Sequence, residues 1–431
     1  MQTSTVRPMI ANWLLPLVLL LFLVFPLGYS AIIGEGESGS TGMTQISSAI
    51  KSITCADGLT PFTTILLVEI ALAIIVVISA FLMGDRGGWV GSLLREQGAQ
   101  YVLLLLLIAI PFIIAWQTDS SVCSRGRSYF WQSIFVETFG LAALAISYNL
   151  IFGFAGVISF GHAAFFGVGA YAVGLLMLHL EWPIGAAVLA TFIISISMGL
   201  LVSVIALRIR GLYFAIFTLV FAEIFFVLAQ NRIMTEITGA EDGFTFSVPD
   251  WINATGNRLG FYYLALVFLA FCYLLVKWLV NSPTGRVLNA IRDNEDRALM
   301  LGYNTFVYKT LAIVLAGVLA SGAGMLRALL NKGASPSVLG VGYTIDPLIM
   351  TLIGGAGTFN GPVIGAFLLR LVEQYLRDTV LTLGTLRINI GEHWFLILGL
   401  LFILSVIVFP KGIVGTVQDR WQRWQARRSR R

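Results

Sequence analysis

Side chains able to do chemistry are sparse in this 431-residue sequence, and their spacing excludes most catalysis. Cys55, Cys123 and Cys272 lie far apart with no CxxC pair, so they make no zinc or thiol-redox motif. The three histidines form no HExxH helix, and no GxxxxGK[ST] loop is present to cradle nucleotide phosphates. No metal set, cofactor motif or catalytic nucleophile emerges, which argues against a membrane-embedded enzyme. If the protein takes part in an energised process, the energy-converting site is expected on another chain.

Acids within apolar runs are the next candidates. Glu69, Glu137 and Glu223 stand in such runs, where an ionised group costs at least ~2.5–3.5 kcal/mol and is a functional candidate by default. An ion-coupled secondary transporter would pair such carboxylates or set them against histidines. These three are not clustered in sequence and His162 stands alone, so that reading is kept as the lesser alternative. Glu69 lies close enough to the end of its run to reach the surface or a neighbouring helix. Cys55 and Cys123 both fall in segments assigned to the outer side and would pair if that compartment oxidises thiols. Two unrelated cysteines are the competing reading.

These groups must be positioned by membrane helices. The chain is 58% hydrophobic and 11% charged, against roughly 25% charge in soluble domains. Its net charge of +5 is gathered beside apolar runs rather than along one soluble face, which is the positive-inside pattern and not a nucleic-acid surface. The fold class expected is all-α, a polytopic integral membrane protein with about 10–12 transmembrane helices, some broken or re-entrant. Apolar runs cover Trp13–Leu27, Phe62–Met83, Tyr101–Trp116, the stretch from Phe130 through Leu176, Ile184–Leu207, Leu212–Ala229, Phe261–Val280, Thr310–Leu330, Pro347–Leu371 and Trp394–Phe409. The first run follows Arg7 and is read as a retained anchor over a signal peptide. Gly28–Pro61 and Asn231–Asn257 read as outer loops. Asn281–Lys309 and the basic tail, with Trp421 and Trp424 against lipid headgroups, read as inner segments. Keeping both inside requires two crossings from the Pro347–Leu371 run, hence a break at Gly354–Pro362.

Tyr148–Leu176 holds Gly153, Gly156, Gly161, Gly167, Gly169 and Gly174 in an apolar background. Ala163 to Gly167 and Ala170 to Gly174 have the small-xxx-small spacing of closely packed membrane helices. Gly156 to Gly161, with Ser159 and His162, reads as a helix break, tolerated at membrane depth only in protein or beside a water-filled cavity. A packing hairpin and a gate are both open, and His162 is read as a buried, hydrogen-bonded histidine before a substrate ligand. Ala316, Ala320 and Gly324, and likewise Gly361 and Gly365, give further packing faces, with Gly354, Gly355 and Gly357 in the second break.

The inner loop carries the remaining element. Asp293 or Asn294 can cap a short helix whose first turn holds Glu295 and Asp296, followed by Arg297, Ala298, Leu299 and Leu301. Gly302 is placed to end it in a left-handed cap. At about two turns it is not stable alone and needs a partner. That partner is the lipid surface in one reading and a cytoplasmic protein in the other.

Taken together, NLIFGFAGVISFGHAAFFGVGAYA, NEDRALMLGYNTFVYK, GGAGTFNGPVIGA and FPKGIVG, in their order along the chain, resemble the LivM-type permeases of branched-chain amino acid ABC importers. The resemblance implies a transmembrane subunit paired with a second, related permease. It also implies two cytoplasmic ATPases carrying ATP and Mg²⁺, an extracytoplasmic substrate-binding protein, and a place in the bacterial cytoplasmic (inner) membrane with both termini inside. It makes Glu295–Gly302 the helix that couples to an ATPase, and the glycines above, with His162, the translocation and packing elements. The Glu-Ala-Ala triplet of importer permeases is replaced here by Glu295-Asp296-Arg297. Residues 131–415 form the permease core, 1–130 an amino-terminal extension with about three spans, and 416–431 a basic cytoplasmic tail. Branched-chain or other neutral, hydrophobic amino acids are the substrates implied. Urea or short-amide importers share the architecture, although the run Phe160–Phe166 looks more like the amino acid type.

Overall fold

The computed structural model describes residues 104–115, 127–209, 211–249, 252, 257–378, 380–383, 386–389 and 394–417. Trp13–Leu27, Phe62–Met83 with Glu69, Cys55, Cys123 and the tail tryptophans lie outside the described residues. The described chain is almost wholly helical, as lipid demands of a backbone that must satisfy its own hydrogen bonds. Its main helices are α1 (Leu104–Ala115), α2 (Arg127–Asn149), α3 (His162–His179), α4 (Ile184–Ala206), α5 (Leu212–Gln230), α6 (Arg258–Asn281), α7 (Pro283–Asp293), α8 (Glu295–Met300), α9 (Thr305–Asn331), α10 (Gly342–Gly354), α11 (Gly361–Asp378) and α12 (Trp394–Val408). Among the described residues six are long and apolar enough to cross a membrane: α2 with the π-helical turn that follows it, α3, α4, α5, α6 and α9.

The chain divides into two units, Met1–Ile134 with Pro249–Tyr263, and Phe135–Val248 with Leu264–Arg431. In the first, Tyr262 Oη donates to the Leu107 carbonyl at 2.5 Å and Tyr263 Oη to that of Ile108 at 3.1 Å. Phe112, Ala115 and Leu259 pack with Tyr263, and the Arg258 guanidinium lies 4.6 Å from the Tyr129 ring centroid.

The second unit is built on a close approach of α3 and α9. A Cβ at Gly169 would run into the backbone of Ser321, and one at Gly324 into the Phe166 carbonyl. Gly317 faces the Phe165 ring in the same seam. The small-residue faces expected of these two runs therefore meet each other, giving van der Waals contact where no hydrophobic effect separates protein from lipid tails. Most of α9 is buried, whereas α4 and α5 keep most of their apolar surface outward, as helices facing lipid or another subunit do.

Three local features depart from the sequence reading. The segment taken as a loop up to Lys309 instead holds α7, capped by Ser282 with Pro283 in its first turn, and α9 starts at Thr305 under an Asn304 cap. Between α9 and α10 the chain is not helical from Gly333 to Ser335 but forms a two-residue strand, β2 (Gly333–Ala334), paired antiparallel with β1 (Phe244–Thr245) of the Asn231–Asn257 segment. Beyond α11 a short hairpin joins β3 (Val380–Leu383) and β4 (Leu386–Asn389). VLTL-GT-LRIN carries the alternation around a turn that such a hairpin needs.

Candidate functional site

Both expected helix breaks are present, and they meet. The first follows a π-helical turn, Leu150–Phe154, and runs from Ala155 to Gly161; the second separates α10 from α11. Asn149, at the end of α2, ties them: its Nδ2 donates to the Thr358 carbonyl and its Oδ1 accepts from the Gly357 amide, both at 2.9 Å. Buried amides so satisfied fix a unique arrangement, because leaving either group unpaired would cost more than the bond contributes.

Arg292, near the end of α7, reaches into the same junction. Its Nη1 donates to the Gly153 carbonyl at 2.6 Å, a carbonyl freed by the break, and lies 2.9 Å from where a Cβ on Gly357 would be. Gly156, at φ +70°, rests against Arg292's own Cα and Cβ. A side chain there would be strained and would displace α7. The motif after α12 closes the junction, with the Lys411 carbonyl and the backbone of Gly412 and Gly415 against Gly355. Thus Gly153, Gly156, Gly355 and Gly357 are brought together, with Gly354 and Gly361 packed on each other beside them, while Gly365 lies further along α11 on the Met350 carbonyl.

The start of α3 forms a second buried polar knot. Gly161 sits on the Thr218 carbonyl of α5, Thr218 Oγ1 accepts from the Phe160 amide at 3.0 Å, and Thr344 Oγ1 of α10 accepts from the Ala163 amide at 2.8 Å. His162 is fully buried, as expected, 2.7 Å from Ser147 Oγ. Ser147 Oγ is also 2.7 Å from the Leu144 carbonyl. A hydroxyl has one proton, so Ser147 donates to Leu144 and His162 Nε2–H donates to Ser147, leaving Nδ1 with the lone pair. Gly167 and Gly174, by contrast, pack elsewhere along α3, on Leu339 and on Phe244 and Phe246.

The short loop helix is present as α8. Asn294, not Asp293, is its cap, with Oδ1 accepting from the Arg297 amide at 2.9 Å, and Gly302 ends it at φ +87°. Ala298 is buried against Val287, Ile291 and Tyr308. Glu295, which the resemblance places in the ATPase-coupling helix, pairs with Lys309 at 2.6 Å within the chain. Met300, 87% exposed, and Leu301, 70% exposed, form the outward apolar surface instead. Asp296, Arg297 and Leu299 stand beside it.

One constellation escaped the sequence reading. Glu137 Oε1 receives Arg327 Nη1 at 2.5 Å, and its Oε2 receives Arg370, whose Nη1 also donates to Glu373 at 2.8 Å. Glu137 was visible as an intramembrane acid; its partners come from α9 and α11, 190 and 233 residues away. Arg327 and Arg370 inside apolar runs were the available signal. Glu223 stays on the exposed side of α5. Among the described residues no group of His, Cys, Asp and Glu has the makings of a metal site.

A family model described as "Branched-chain amino acid transport system / permease component" matches residues 132–406, well over half of the chain. The chain belongs to this family. It is 26% identical over 350 residues to the high-affinity branched-chain amino acid transport system permease protein LivM of Salmonella typhimurium, covering 75% of this chain and 76% of that one. It is 26% identical to the probable branched-chain amino acid transport permease protein LivM of Methanocaldococcus jannaschii, over 65% and 92% of the two chains. The permease protein LivH of Salmonella typhimurium is 24% identical, over 67% and 96%. No solved structure matches the chain. The match begins five residues after α2 starts and takes in both breaks, α8 and the charged group around Glu137. As a member of this family the protein is a multi-pass membrane permease component.

Proposed function

We propose that this chain is one transmembrane subunit of an ABC importer for branched-chain or other neutral, hydrophobic amino acids in a bacterial cytoplasmic membrane. A second, related permease completes the passage, an extracytoplasmic binding protein delivers substrate, and two cytoplasmic ATPases on other chains hydrolyse ATP. The observation that carries this reading is mechanical. A short helix with exposed Met300 and Leu301 is continuous, through α7 and Arg292, with the backbone of both helix breaks. Force applied to α8 by a docked ATPase would be felt at Gly153 and Gly357 without passing through a flexible loop. Two packings of similar free energy at the breaks are what alternating access needs.

The test is leucine uptake into vesicles holding the protein with its co-purifying subunits. Uptake should require ATP and binding protein, and should survive collapse of the ion gradients. Uptake driven by an ion gradient without ATP would overturn the reading in favour of a secondary transporter. Exclusive uptake of urea or short amides would move the substrate class. At α8, Leu301→Lys should release the ATPase during purification; unchanged co-purification would remove this helix from the docking surface.

A further inference from the structure

Two helices of the second unit, α4 and α5, turn most of their apolar surface outward, and their outward faces differ in one respect. α4 carries no ionisable residue over Ile184–Ala206. Its exposed hydroxyl, on Ser197, donates back to the Ile193 carbonyl of its own helix at 2.9 Å, among exposed Leu189, Ile193, Ile196 and Leu200. Hydrocarbon asks nothing more of a surface. α5 meets the same condition except at Glu223.

Glu223 is exposed and makes no hydrogen bond or ion pair with a described residue. It lies seven residues before α5 ends at Gln230, a rise of ~10 Å that a glutamate side chain does not span. By helical spacing Ile216, Val220 and Val227 share its stripe, and all three are about half exposed. A carboxylate so placed is unfavourable against lipid tails and is met instead by water, a ligand or a donor on a neighbouring helix. The wall of a water-filled passage would carry further polar groups, whereas the turns on either side of Glu223 are aliphatic. That composition suits a dry contact between helices with one charged pair inside it. The apolar runs outside the described residues do not supply the cation: Trp13–Leu27 and Phe62–Met83 contain no Lys, Arg or His, and Glu69 in the second would repel Glu223. A second copy of this chain does not fit either, because a two-fold axis along the stripe would set Glu223 against itself.

Resting on the permease reading above, we propose that the α5 face around Glu223 is applied within the bilayer to the second, related permease, and that a Lys, Arg or His in a span of that subunit donates to Glu223. The pair sets the register of two otherwise smooth aliphatic faces. It also disfavours the pairing of this chain with itself, so that the passage is built from two different chains. The face of α4, with no charge to satisfy, is left to lipid.

The experiment puts a photoreactive benzophenone amino acid in place of Val227, or of Ile193 on α4, in the complete transporter in its membrane, with Glu223 intact. Irradiation at 227 should join this chain to the second permease, as read by mass spectrometry of the linked peptides, whereas 193 should give no protein adduct. In parallel, recovery of the second permease on affinity purification of this chain is measured for Glu223→Lys and Glu223→Gln. Glu223→Lys should lower it about tenfold or more, because it sets like charges together, and Glu223→Gln by a smaller factor. An adduct from 227 with another copy of this chain, with its own amino-terminal segment or with lipid alone overturns the assignment, as does full recovery of the second permease with Glu223→Lys. Full recovery with Glu223→Gln together with a tenfold fall in leucine uptake would set Glu223 in the passage and also overturn it. If 227 joins the second permease while the wild-type transporter takes up no amino acid, the proposed function fails and this contact stands, so the two failures are told apart.

Discussion

At Gly153 and Gly357 two lengths of backbone meet around an Asn149 carboxamide and an Arg292 guanidinium, with the Phe154 and Phe359 rings 5.5 Å apart beside them. About four turns away along α2, Glu137 is held by Arg327 and Arg370 in a group that joins three helices through charged side chains. The first place is made of residues with no side chain, and its tolerance for change is set by space. The second is made of long side chains, and its tolerance is set by charge. A junction of backbones can repack by small dihedral changes, since glycine accepts conformations that other residues do not. An ion-pair group inside a membrane can only hold or break. On this contrast we propose that movement falls at the breaks and rigidity at Glu137, on α2.

The sharpest way to break this contrast is to remove the central charge. Glu137→Gln leaves Arg327 and Arg370 without their shared carboxylate and should cost about 3–5 kcal/mol, as loss of one partner of a buried pair does. Thermal unfolding in detergent reads it, and removing Arg327 together with Glu137 should cost less than the sum of the two. A simple sum would mean the pair is not coupled. Next comes Gly153→Ala, whose Cβ would fall on the Asn149 carboxamide and the Gly357 amide; overpacking of this kind costs about 1–3 kcal/mol. An unchanged unfolding midpoint would show that the junction has room to spare.

Arg292→Ala probes movement rather than stability. It should lower transport about tenfold, the scale of coupling free energies carried by single residues, with a small change in the unfolding midpoint. If transport and midpoint fall together, Arg292 is a brace and the breaks are not driven through it. The smallest effect belongs to α8. Asn294→Ala should cost about 1 kcal/mol of local stability and Asn294→Asp nearly nothing, because only the first loses the acceptor for the Arg297 amide. Hydrogen exchange across 295–300 measures the difference, and equal protection in both variants would dismiss the cap.

How much of this was legible follows the same division. Glycines at 153, 156, 354 and 357 are expensive in an uninterrupted helix, so their crowding announced the breaks before any contact was known. The short helix was legible too, because Asn294, the acids after it and Gly302 are local signals with local causes. α7 carries equally local signals in Ser282 and Pro283, which a loop reading of Asn281–Lys309 leaves unused. The group at Glu137 is different. Arg327 and Arg370 look like misplaced charges in apolar runs until the fold brings them to one carboxylate.

By itself, then, the sequence determined the spans, the places where helices stop, the capped helix α8 and the small-residue faces of α3 and α9, since each depends on neighbours within a few residues. Tertiary structure decided that the two breaks share one junction, that Arg292 is the residue which reaches it, and that Glu295 pairs with Lys309 while Met300 faces out. These depend on which helix faces meet across more than a hundred residues, and neither propensity nor spacing encodes that pairing without the packed bundle.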